Sequence, residues 1–412
     1  MRLYYLDHIE TPRLLIKPIR PGDELALNEA INTSLESLRR WMPWAKDPSL
    51  EATRRFVHYA ASGWNYGDAH TFPFVVFHKQ ANKIISAACF GEESCPEKDY
   101  YEVGYWLETS FQGQGLISEV TNALTRYAFS ELEAKRVQLR TQAENVKSAA
   151  VAERCGYTFE ATLRNACLDC ISNVPSNVLM YACTSKESLP PLDVSWHHNT
   201  GKYQAEVEKY ARHVSEFPYH LPKLQSTRIE LRPPQSNETS ILCNALQTSL
   251  AMLAPWFSWA STLPEMAKLQ HYVDRVANTA QDLYVQDHLC FFIWETTHNN
   301  FIGEAWLTIP QWINSSAIIN FWLDIPYHGH GYASEAVASL TQYVLHYLGL
   351  NRVQMFIPEK NSRALKLAKR LGFYHEGTLV NHSKNFQTRE AMNTELFSIT
   401  DLNELQLIQI EE

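Results

Sequence analysis

Two pairs of closely spaced glycines carry the clearest chemical signal in this sequence: Gly113 with Gly115, and Gly329 with Gly331. Each pair follows an aromatic-rich segment that predicts a strand and precedes a segment whose apolar spacing predicts a helix. Glycine allows a tight turn and leaves backbone N–H groups uncovered where a helix begins. Because these N–H groups and the helix dipole both attract negative charge, we predict an anion site at each pair. Neither pair continues as a P-loop or as the GxGxxG dinucleotide fingerprint.

The glycine pairs belong to a long internal repeat. Segment 112–128 aligns with 328–344 at an offset of 216 residues, and seven of these 17 positions are identical, whereas average composition gives about one. Segment 145–163 aligns with 361–379 at the same offset, with seven of 19 positions identical. A repeat of this length indicates a duplicated domain, because solenoid units are several times shorter.

Near the start of each copy the offset becomes 215, and Arg13 faces Arg228. A threonine precedes each arginine, Thr11 in the first copy and Thr227 in the second. This alignment makes Pro12 one extra residue in the first copy. We expect an N-terminal domain at 1–184, a linker at 185–223 and a C-terminal domain at 224–412.

Periodicity predicts the same order of elements in both copies. Alternating or β-branched and aromatic stretches predict strands, and apolar residues at helical spacing predict helices between them. In the first copy the expected strands are 13–19, 71–78, 83–91, 100–108, 136–142 and 178–184, and the expected helices begin near 23, 115 and 148. The predicted fold class is α/β (α+β): two tandem domains, each a mixed, mostly antiparallel twisted sheet with helices on both faces.

Composition narrows the function classes. The chain has 412 residues, of which 45% are hydrophobic and 20% charged, which is typical of globular proteins and excludes a disordered chain. The net charge of −9 disfavours a nucleic-acid partner and suits a cationic amine or a basic peptide. No signal peptide or membrane span is visible, so a cytoplasmic location is expected. Eight scattered cysteines indicate reduced thiols, and no zinc-ligand spacing predicts a metal.

The first loop, Gln112-Gly113-Gln114-Gly115, resembles the Q/R-x-x-G-x-G/A signature of the GNAT superfamily of acyl-CoA-dependent N-acetyltransferases. Its flanking segments, among them 102–107, Asn145-x-x-Ser148 and 38–44, are similar to the RimJ/RimL-like branch. That branch acetylates protein N-terminal amines, polyamines, antibiotics and related amines. The similarity covers nearly all of both copies and leaves out the linker.

The resemblance implies that acetyl-CoA is the co-substrate and that no metal is required. The pyrophosphate would bind the N–H groups of the loop, and the pantetheine arm would lie beside strand 102–107 and contact Asn145. The cofactor-binding residues implied in the first copy are Trp106, Leu107, Gln112, Gly113, Gln114, Gly115, Leu116, Ile117 and Asn145. Those implied in the second copy are Leu323, His328, Gly329, His330, Gly331, Tyr332, Ala333 and Asn361.

The resemblance also implies direct attack of an amine on the thioester in a ternary complex, which gains most from proximity. Glu102 would accept the amine proton, directly or through water, and Ser148 would donate a proton to the departing thiolate. A backbone N–H of Trp106 or of a neighbouring residue would stabilise the oxyanion. Trp41 and Trp44 would line the amine pocket.

The second copy departs from the pattern at the residues that would handle protons. Ile318 stands where Glu102 stands, and Ala364 stands where Ser148 stands. The backbone anion site survives these changes, because amide groups build it. We therefore expect the first copy to be the catalyst and the second to be a degenerate binding or scaffolding domain.

Structural explanations compete with these roles. Glu102 could be a surface carboxylate at a sheet edge, Ser148 could cap the helix that follows it, and Asn145 could do the same. The tryptophans could be core residues. For the whole chain, the alternatives are an aminoglycoside- or polyamine-type acetyltransferase and a non-catalytic acyl-CoA-binding or interaction protein.

Overall fold

The computed structural model describes residues 2–66, 71–91, 93–201, 221–279, 288–309 and 316–406. The chain forms two compact units. The first comprises 1–163, 169–212 and 380–382, and the second comprises 164–168, 213–379 and 383–412. Residues 202–220 of the expected linker lie outside the described part of the chain. None of the described helices combines the length and the hydropathy that a membrane crossing needs.

The first repeat contains the elements that the sequence predicts, together with three strands and two helices that it does not. Its strands are β1 Leu6–Glu10, β2 Leu14–Pro18, β3 Phe72–His78, β4 Lys83–Phe90, β5 Tyr100–Leu107, β6 Arg136–Gln142, β7 Thr158–Leu168, β8 Pro175–Cys183 and β9 Ser195–His198. Its helices are α1 Glu24–Thr33, α2 Leu35–Trp41, α3 Leu50–Tyr66, α4 Leu116–Glu131 and α5 Val146–Arg154. The unexpected strands are β1, β7 and β9, and the unexpected helices are α2 and α3.

The second repeat has part of this succession of strands and helices around its own glycine pair. Its strands are β10 Leu224–Gln225, β11 Ile229–Arg232, β12 His288–Glu295, β13 Asn300–Thr308, β14 Ser316–Leu323, β15 Arg352–Pro358, β16 Tyr374–Lys384 and β17 Ala391–Ile399. Its helices are α6 Thr239–Leu253, α7 Met266–Thr279, α8 Tyr332–Gln342 and α9 Ser362–Arg370. From β12 to β17 the second repeat has the same succession of strands and helices as the first has from β3 to β8, whereas its described residues form two helices rather than three before that stretch.

Each sheet is mixed and mostly antiparallel, as predicted. The first runs β7-β8-β6-β5-β4-β3-β2-β1-β9, and the second runs β10-β11-β12-β13-β14-β15-β17-β16. The parallel pairs recorded among the described strands are β5 with β6 and β14 with β15. The second unit has two separate apolar clusters. One contains residues of α8 and α9, and the other contains residues of α6 and α7, so helices pack against both faces of its sheet.

Candidate active site

The parallel strands β5 and β6 separate into a wedge. Their recorded pairing covers only 100–102 against 136–138, although both described strands continue beyond it. The second repeat has the same short pairing, 316–318 of β14 against 352–354 of β15. Strands that diverge in this way leave backbone groups and side chains of β5 and β14 accessible from the gap. The strand predicted to run beside the pantetheine arm is therefore one wall of this wedge.

The first glycine loop joins the wedge to a helix. Gly113 and Gly115 have φ values of 78° and 75°, in the left-handed region that favours glycine, and α4 begins at the next residue, Leu116. Gly113, Gln114 and Gly115 are exposed, whereas Leu116 and Ile117 are buried in the core. The first turn of a helix carries N–H groups without intrahelical partners, so this exposed loop has the geometry of an anion site.

An arginine and a glutamate fix this loop from the side. Arg13 Nη1 donates to the carbonyl oxygen of Gln114 at 2.8 Å, and its Nε donates to Glu119 Oε2 on α4 at 2.6 Å. The Thr11 hydroxyl donates to the other oxygen of Glu119 at 2.6 Å. Glu119 is 7% exposed, so its charge is balanced inside the protein by Arg13 rather than by solvent. We call Arg13 and Glu119 the loop clamp.

The second repeat builds an equivalent clamp. Arg228 Nε donates to Glu335 Oε2 at 3.2 Å, and the Ser226 hydroxyl donates to Glu335 Oε1 at 2.7 Å. Ser226, not Thr227, therefore occupies the position of Thr11. The expectation of an extra Pro12 in the first copy was wrong, because Thr227 takes the place of Pro12 and the offset of 215 holds throughout this stretch.

The clamp leads to a prediction for cofactor affinity. Replacing Arg13 with alanine removes charged hydrogen bonds to a loop carbonyl and to Glu119, so the N–H groups of the loop lose their fixed direction. We expect coenzyme A affinity at the first repeat to fall about tenfold in isothermal titration. Arg54→Ala, which breaks an exposed pair with Glu51, is the matched control and should leave affinity unchanged. Equal affinities for Arg13→Ala and the wild type would contradict a role for the clamp.

A pair of hydroxyl groups spans the wedge of the first repeat. Tyr105 on β5 places its hydroxyl oxygen 3.0 Å from Ser148 Oγ in the first turn of α5. Helix α5 begins at Val146, and its N-cap is Asn145, whose Oδ1 accepts from the Ser148 N–H at 3.2 Å. The capping alternative for Ser148 is therefore wrong, since Asn145 fills that position. The Ser148 hydroxyl is left facing Tyr105, a residue that the sequence did not single out.

The second repeat has lost both hydroxyls. The positions equivalent to Tyr105 and Ser148 are Phe321 and Ala364. The surrounding backbone is retained, because Asn361 caps α9 by accepting from the Ala364 N–H at 3.3 Å. The two repeats therefore share a wedge and a glycine loop but differ in the groups that can exchange protons.

Glu102 lies at the closed end of the wedge and is held by two side chains of β6. Its Oε2 accepts from Gln138 Nε2 at 2.9 Å and from Arg140 Nε at 2.8 Å, and its Oε1 accepts from Arg140 Nη2 at 3.1 Å. Burial raises the pKa of Glu102, and the charge of Arg140 opposes this rise. In the second repeat the pair is replaced by Ile318 and Phe356, so both charges were exchanged together.

A basic residue on the next helix contacts the first residue of each loop. In the first repeat Lys147 Nζ donates to Gln112 Oε1 at 3.3 Å. In the second repeat Arg363 Nη1 lies 2.9 Å from His328 Nδ1, while His328 Nε2 lies 2.9 Å from the carbonyl oxygen of Leu323. These bonds assign the proton of His328 to Nε2, because arginine can only donate. The ring of His328 is thus held by the protein, and positive charge stands beside each loop.

The tryptophans lie near the same strand. Trp44 is 45% exposed, and its ring centroid is 6.2 Å from that of Trp106 on β5. Trp41 at the end of α2 packs under the guanidinium of Arg40, 4.9 Å from its ring. Because alternate residues of a strand share a face, Glu102 and Trp106 point to one side of β5 and Tyr105 points to the other. Trp44 therefore stands on the side of Glu102, opposite the hydroxyl pair.

The remaining predicted cofactor residues surround the two loops. Leu107 and Leu323 end the strands β5 and β14. In the second loop Gly329 and Gly331 both have φ of 84°, α8 begins at Tyr332, and His330 is exposed. Tyr332 lies 4.9 Å beneath the guanidinium of Arg228, next to Ala333. Both predicted anion loops thus have the left-handed glycines and the helix start that the sequence indicates.

Comparison with known proteins adds the family context. The family model described as an acetyltransferase (GNAT) domain matches the chain twice, over 13–158 and 228–374. YdaF of Bacillus subtilis (strain 168) is 27% identical over 178 residues, which are 42% of this chain and 92% of YdaF. The ribosomal-protein-serine acetyltransferase of Escherichia coli (strain K12) is 35% identical over 109 residues, 26% of this chain and 58% of that protein. The solved structure of RimL, a ribosomal L7/L12 alpha-N-protein acetyltransferase in complex with coenzyme A, has 18% identity and a TM-score of 0.40, over 44% of this chain and 99% of that one.

Proposed function

Because this chain belongs to the acetyltransferase (GNAT) family, whose co-substrate is acetyl-CoA, we propose that its first repeat transfers the acetyl group directly to the terminal amine of a protein. The observation that carries the assignment to the first repeat is the hydroxyl pair of Tyr105 and Ser148 in its wedge. The second repeat keeps the loop and the clamp but has Phe321 and Ala364 in place of that pair.

The proposed reaction needs no covalent enzyme intermediate. The amine nitrogen attacks the thioester carbonyl carbon, the new N–C bond forms, and the C–S bond breaks with its electron pair remaining on sulfur. Ser148 Oγ–H donates its proton to that thiolate, and the proton that the attacking nitrogen loses as the amide forms returns through water to Ser148 Oγ. Burial raises the pKa of Tyr105, which keeps its hydroxyl protonated and able to donate. We assign Tyr105 as the donor to Ser148 Oγ, so that the serine proton points away from Tyr105 and toward the sulfur.

The opposite side of β5 would receive the amine. Glu102 and Trp106 share that face, and Trp44 stands beside Trp106. Glu102 and Trp106 are four residues apart, about 13 Å along a strand, so the amine proton would reach Glu102 through water. A protonated amine loses its charge before attack, and a carboxylate with a raised pKa suits this transfer at neutral pH.

The choice of a protein amine rests on the relatives. The Escherichia coli relative is named a ribosomal-protein-serine acetyltransferase, and its aligned region is 35% identical to this chain. The net charge of −9 also suits a basic acceptor, because ribosomal segments and polyamines are both cationic. The alternative acceptor is a polyamine or an aminoglycoside, and the experiment must distinguish it from a protein amine.

The test is release of free coenzyme A thiol with matched acceptors. The full chain is incubated with acetyl-CoA and either basic peptides with a free or a blocked N-terminus, or spermidine, or an aminoglycoside. We expect turnover with the free peptide amine, none with the blocked peptide, and mass addition of one acetyl group at the N-terminus. Faster turnover with the small amines would replace the protein acceptor, and no turnover with any amine would favour a binding protein.

Glu102 gives a prediction about pH. A base must be ionised to act, so kcat/KM should rise with pH as Glu102 loses its proton. Because the pKa of Glu102 is raised, this rise should lie above the ordinary value of 4.5. Glu102→Gln should remove this limb and lower the rate on its plateau about tenfold. The measurement is kcat/KM as a function of pH for both proteins. Glu93→Gln should keep the limb but move it to lower pH, because the charge of Glu93 contributes to the raised pKa of Glu102. An unchanged profile in Glu102→Gln would remove the base role from this residue.

The second repeat is proposed to bind coenzyme A without catalysing transfer. Its loop retains the left-handed glycines and the clamp of Arg228 and Glu335, and amide groups do not depend on the lost hydroxyls. Titration of the full chain with coenzyme A should therefore give two sites, of which Arg228→Ala weakens one and Arg13→Ala the other. A single site that only Arg13→Ala weakens would make the second repeat a scaffold.

A further inference from the structure

A pair of histidines lies directly across two neighbouring strands of the first unit, away from the wedge. In the antiparallel pairing of β1 with β9, His8 is opposite His197. Their rings are stacked, with centroids 4.4 Å apart and planes 19° apart. Glu10, two residues along β1, lies on the same face as His8 and brings its Oε2 to 4.0 Å from His197 Nε2. One ligand atom of each of the three residues lies within 4.8 Å of the others.

Neighbouring side chains orient these potential ligands. His8 Nδ1 lies 2.8 Å from Asp7 Oδ2, so Nδ1–H donates to this carboxylate and Nε2 keeps a free lone pair. A carboxylate behind the imidazole is the usual second partner of a metal-bound histidine. Lys79 Nζ donates to Glu10 Oε1 at 2.5 Å and lowers the pKa of Glu10, leaving Oε2 on the side of His197.

Two imidazoles and one carboxylate are the ligand types that zinc takes in open sites, with water completing the tetrahedron. The three ligand atoms lie within 4.8 Å of one another, and binding one ion would require the stacked rings to rotate about their side-chain bonds and draw these atoms closer. The equivalent positions of the second repeat, Lys223 and Gln225, carry no imidazole or carboxylate. The arrangement is therefore a feature of the first unit and not of the repeat as such.

We propose that His8, Glu10 and His197 bind one Zn²⁺ ion that ties β9 to β1. Strand β9 is the last strand of its sheet and consists of four residues, so its attachment has few ladder hydrogen bonds. A metal bound only by the paired strands stabilises that pairing by its binding free energy. This proposal is independent of the acetyl transfer, since none of the three residues lies in the wedge or its loop.

The experiment titrates chelator-treated full-length protein with ZnCl₂ by calorimetry and repeats the titration with CoCl₂ by absorption. We expect one saturable site at micromolar concentration and a thermal midpoint that rises with Zn²⁺. The cobalt spectrum should show d–d bands without a thiolate charge-transfer band, because the proposed ligands contain no sulfur. A thiolate band would assign the bound ion to cysteines and overturn the proposal.

Substitutions show whether Zn²⁺ binds at this site or at other exposed histidines. His197→Ala, at a side chain that is 53% exposed, should weaken binding more than tenfold and abolish the thermal shift, and Asp7→Asn should weaken it about tenfold. Lys79→Met should tighten binding, because it removes a positive charge beside the ion. His298→Ala, at an imidazole that is 75% exposed, is the matched control and should change nothing. Equal binding by His197→Ala and the wild type would refute the site.

Discussion

Replacing Ser148 with alanine is expected to lower kcat for acetyl transfer about 100-fold, as the loss of a general acid does. The change removes one oxygen atom from a hydroxyl pair whose oxygens are 3.0 Å apart. The helix start should survive, because the cap is built by Asn145 and the backbone N–H of residue 148. Coenzyme A affinity should therefore stay within about twofold of the wild type, since no loop contact is removed.

The reason for a selective loss in kcat is the timing of the proton transfer. The thioester sulfur carries little charge in the bound substrate and becomes a thiolate only as the C–S bond breaks. A donor that acts at this moment stabilises the transition state and not the ground state, so its removal lowers kcat and leaves KM nearly unchanged. Steady-state kinetics with the acceptor that the thiol-release assay selects, together with calorimetric titration of coenzyme A, measure both quantities.

Tyr105→Phe should lower kcat less than Ser148→Ala does. It keeps the ring and removes the hydroxyl that directs the serine proton, so we expect a loss of about tenfold, the worth of one neutral hydrogen bond. The double variant should lose no more than Ser148→Ala alone, because Tyr105 acts through Ser148. The matched control is Phe321→Tyr with Ala364→Ser in the second repeat, which should not change the rate of the first. Full activity in Ser148→Ala would exclude it as the acid.

The part of this site that the sequence predicts well is the part built from backbone. The glycines of the two loops require left-handed φ values, and the helices that follow show a clear apolar period, so sequence alone indicates the turn, the helix start and the anion site. The repeat strengthens this prediction, because Gly113 and Gly115 recur as Gly329 and Gly331. The mixed, mostly antiparallel sheet follows from the order of periodic segments in the same way.

Periodicity in the sequence does not predict which side chains contact each other across strands. Tyr105 is one of several aromatic residues in β5, and only its distance to Ser148 distinguishes it from the others. His8 and His197 become neighbours through the pairing of β1 with β9, two strands that the sequence did not predict. Glu102 was expected to be a proton acceptor or a surface carboxylate. Its side chain is 13% exposed and is ion-paired with Arg140, which alternation along β5 alone does not indicate.

A buried ion pair in the second unit gives the largest expected effect on stability. Replacing Glu376 with alanine should lower the free energy of unfolding by about 3–5 kcal/mol, because Arg352 would remain charged and unpaired in the interior. Arg352 Nη1 and Nη2 donate to the two oxygens of Glu376 at 2.6 and 2.5 Å, and both side chains are 0% exposed. Ser398 also donates to Glu376, at 2.7 Å, and so does the backbone N–H of Arg164, at 2.9 Å, so two further donors would lose their partner. Urea denaturation measures the loss.

Two comparisons separate burial from the mere presence of opposite charges. The pair of Lys360 and Glu390 is exposed at 59% and 66% with 3.9 Å between its charged atoms, so Lys360→Met should change stability by less than about 0.5 kcal/mol. Combining Arg352→Met with Glu376→Leu should recover part of the loss, because no unpaired arginine charge is left in the interior, while the donors of Ser398 and Arg164 stay without Glu376. A loss of less than about 1 kcal/mol in Glu376→Ala would contradict this prediction, because it would mean that water reaches Arg352. The position of Arg352 would then be set by Gln354, whose Oε1 accepts from Arg352 Nε at 3.0 Å, and not by the carboxylate of Glu376.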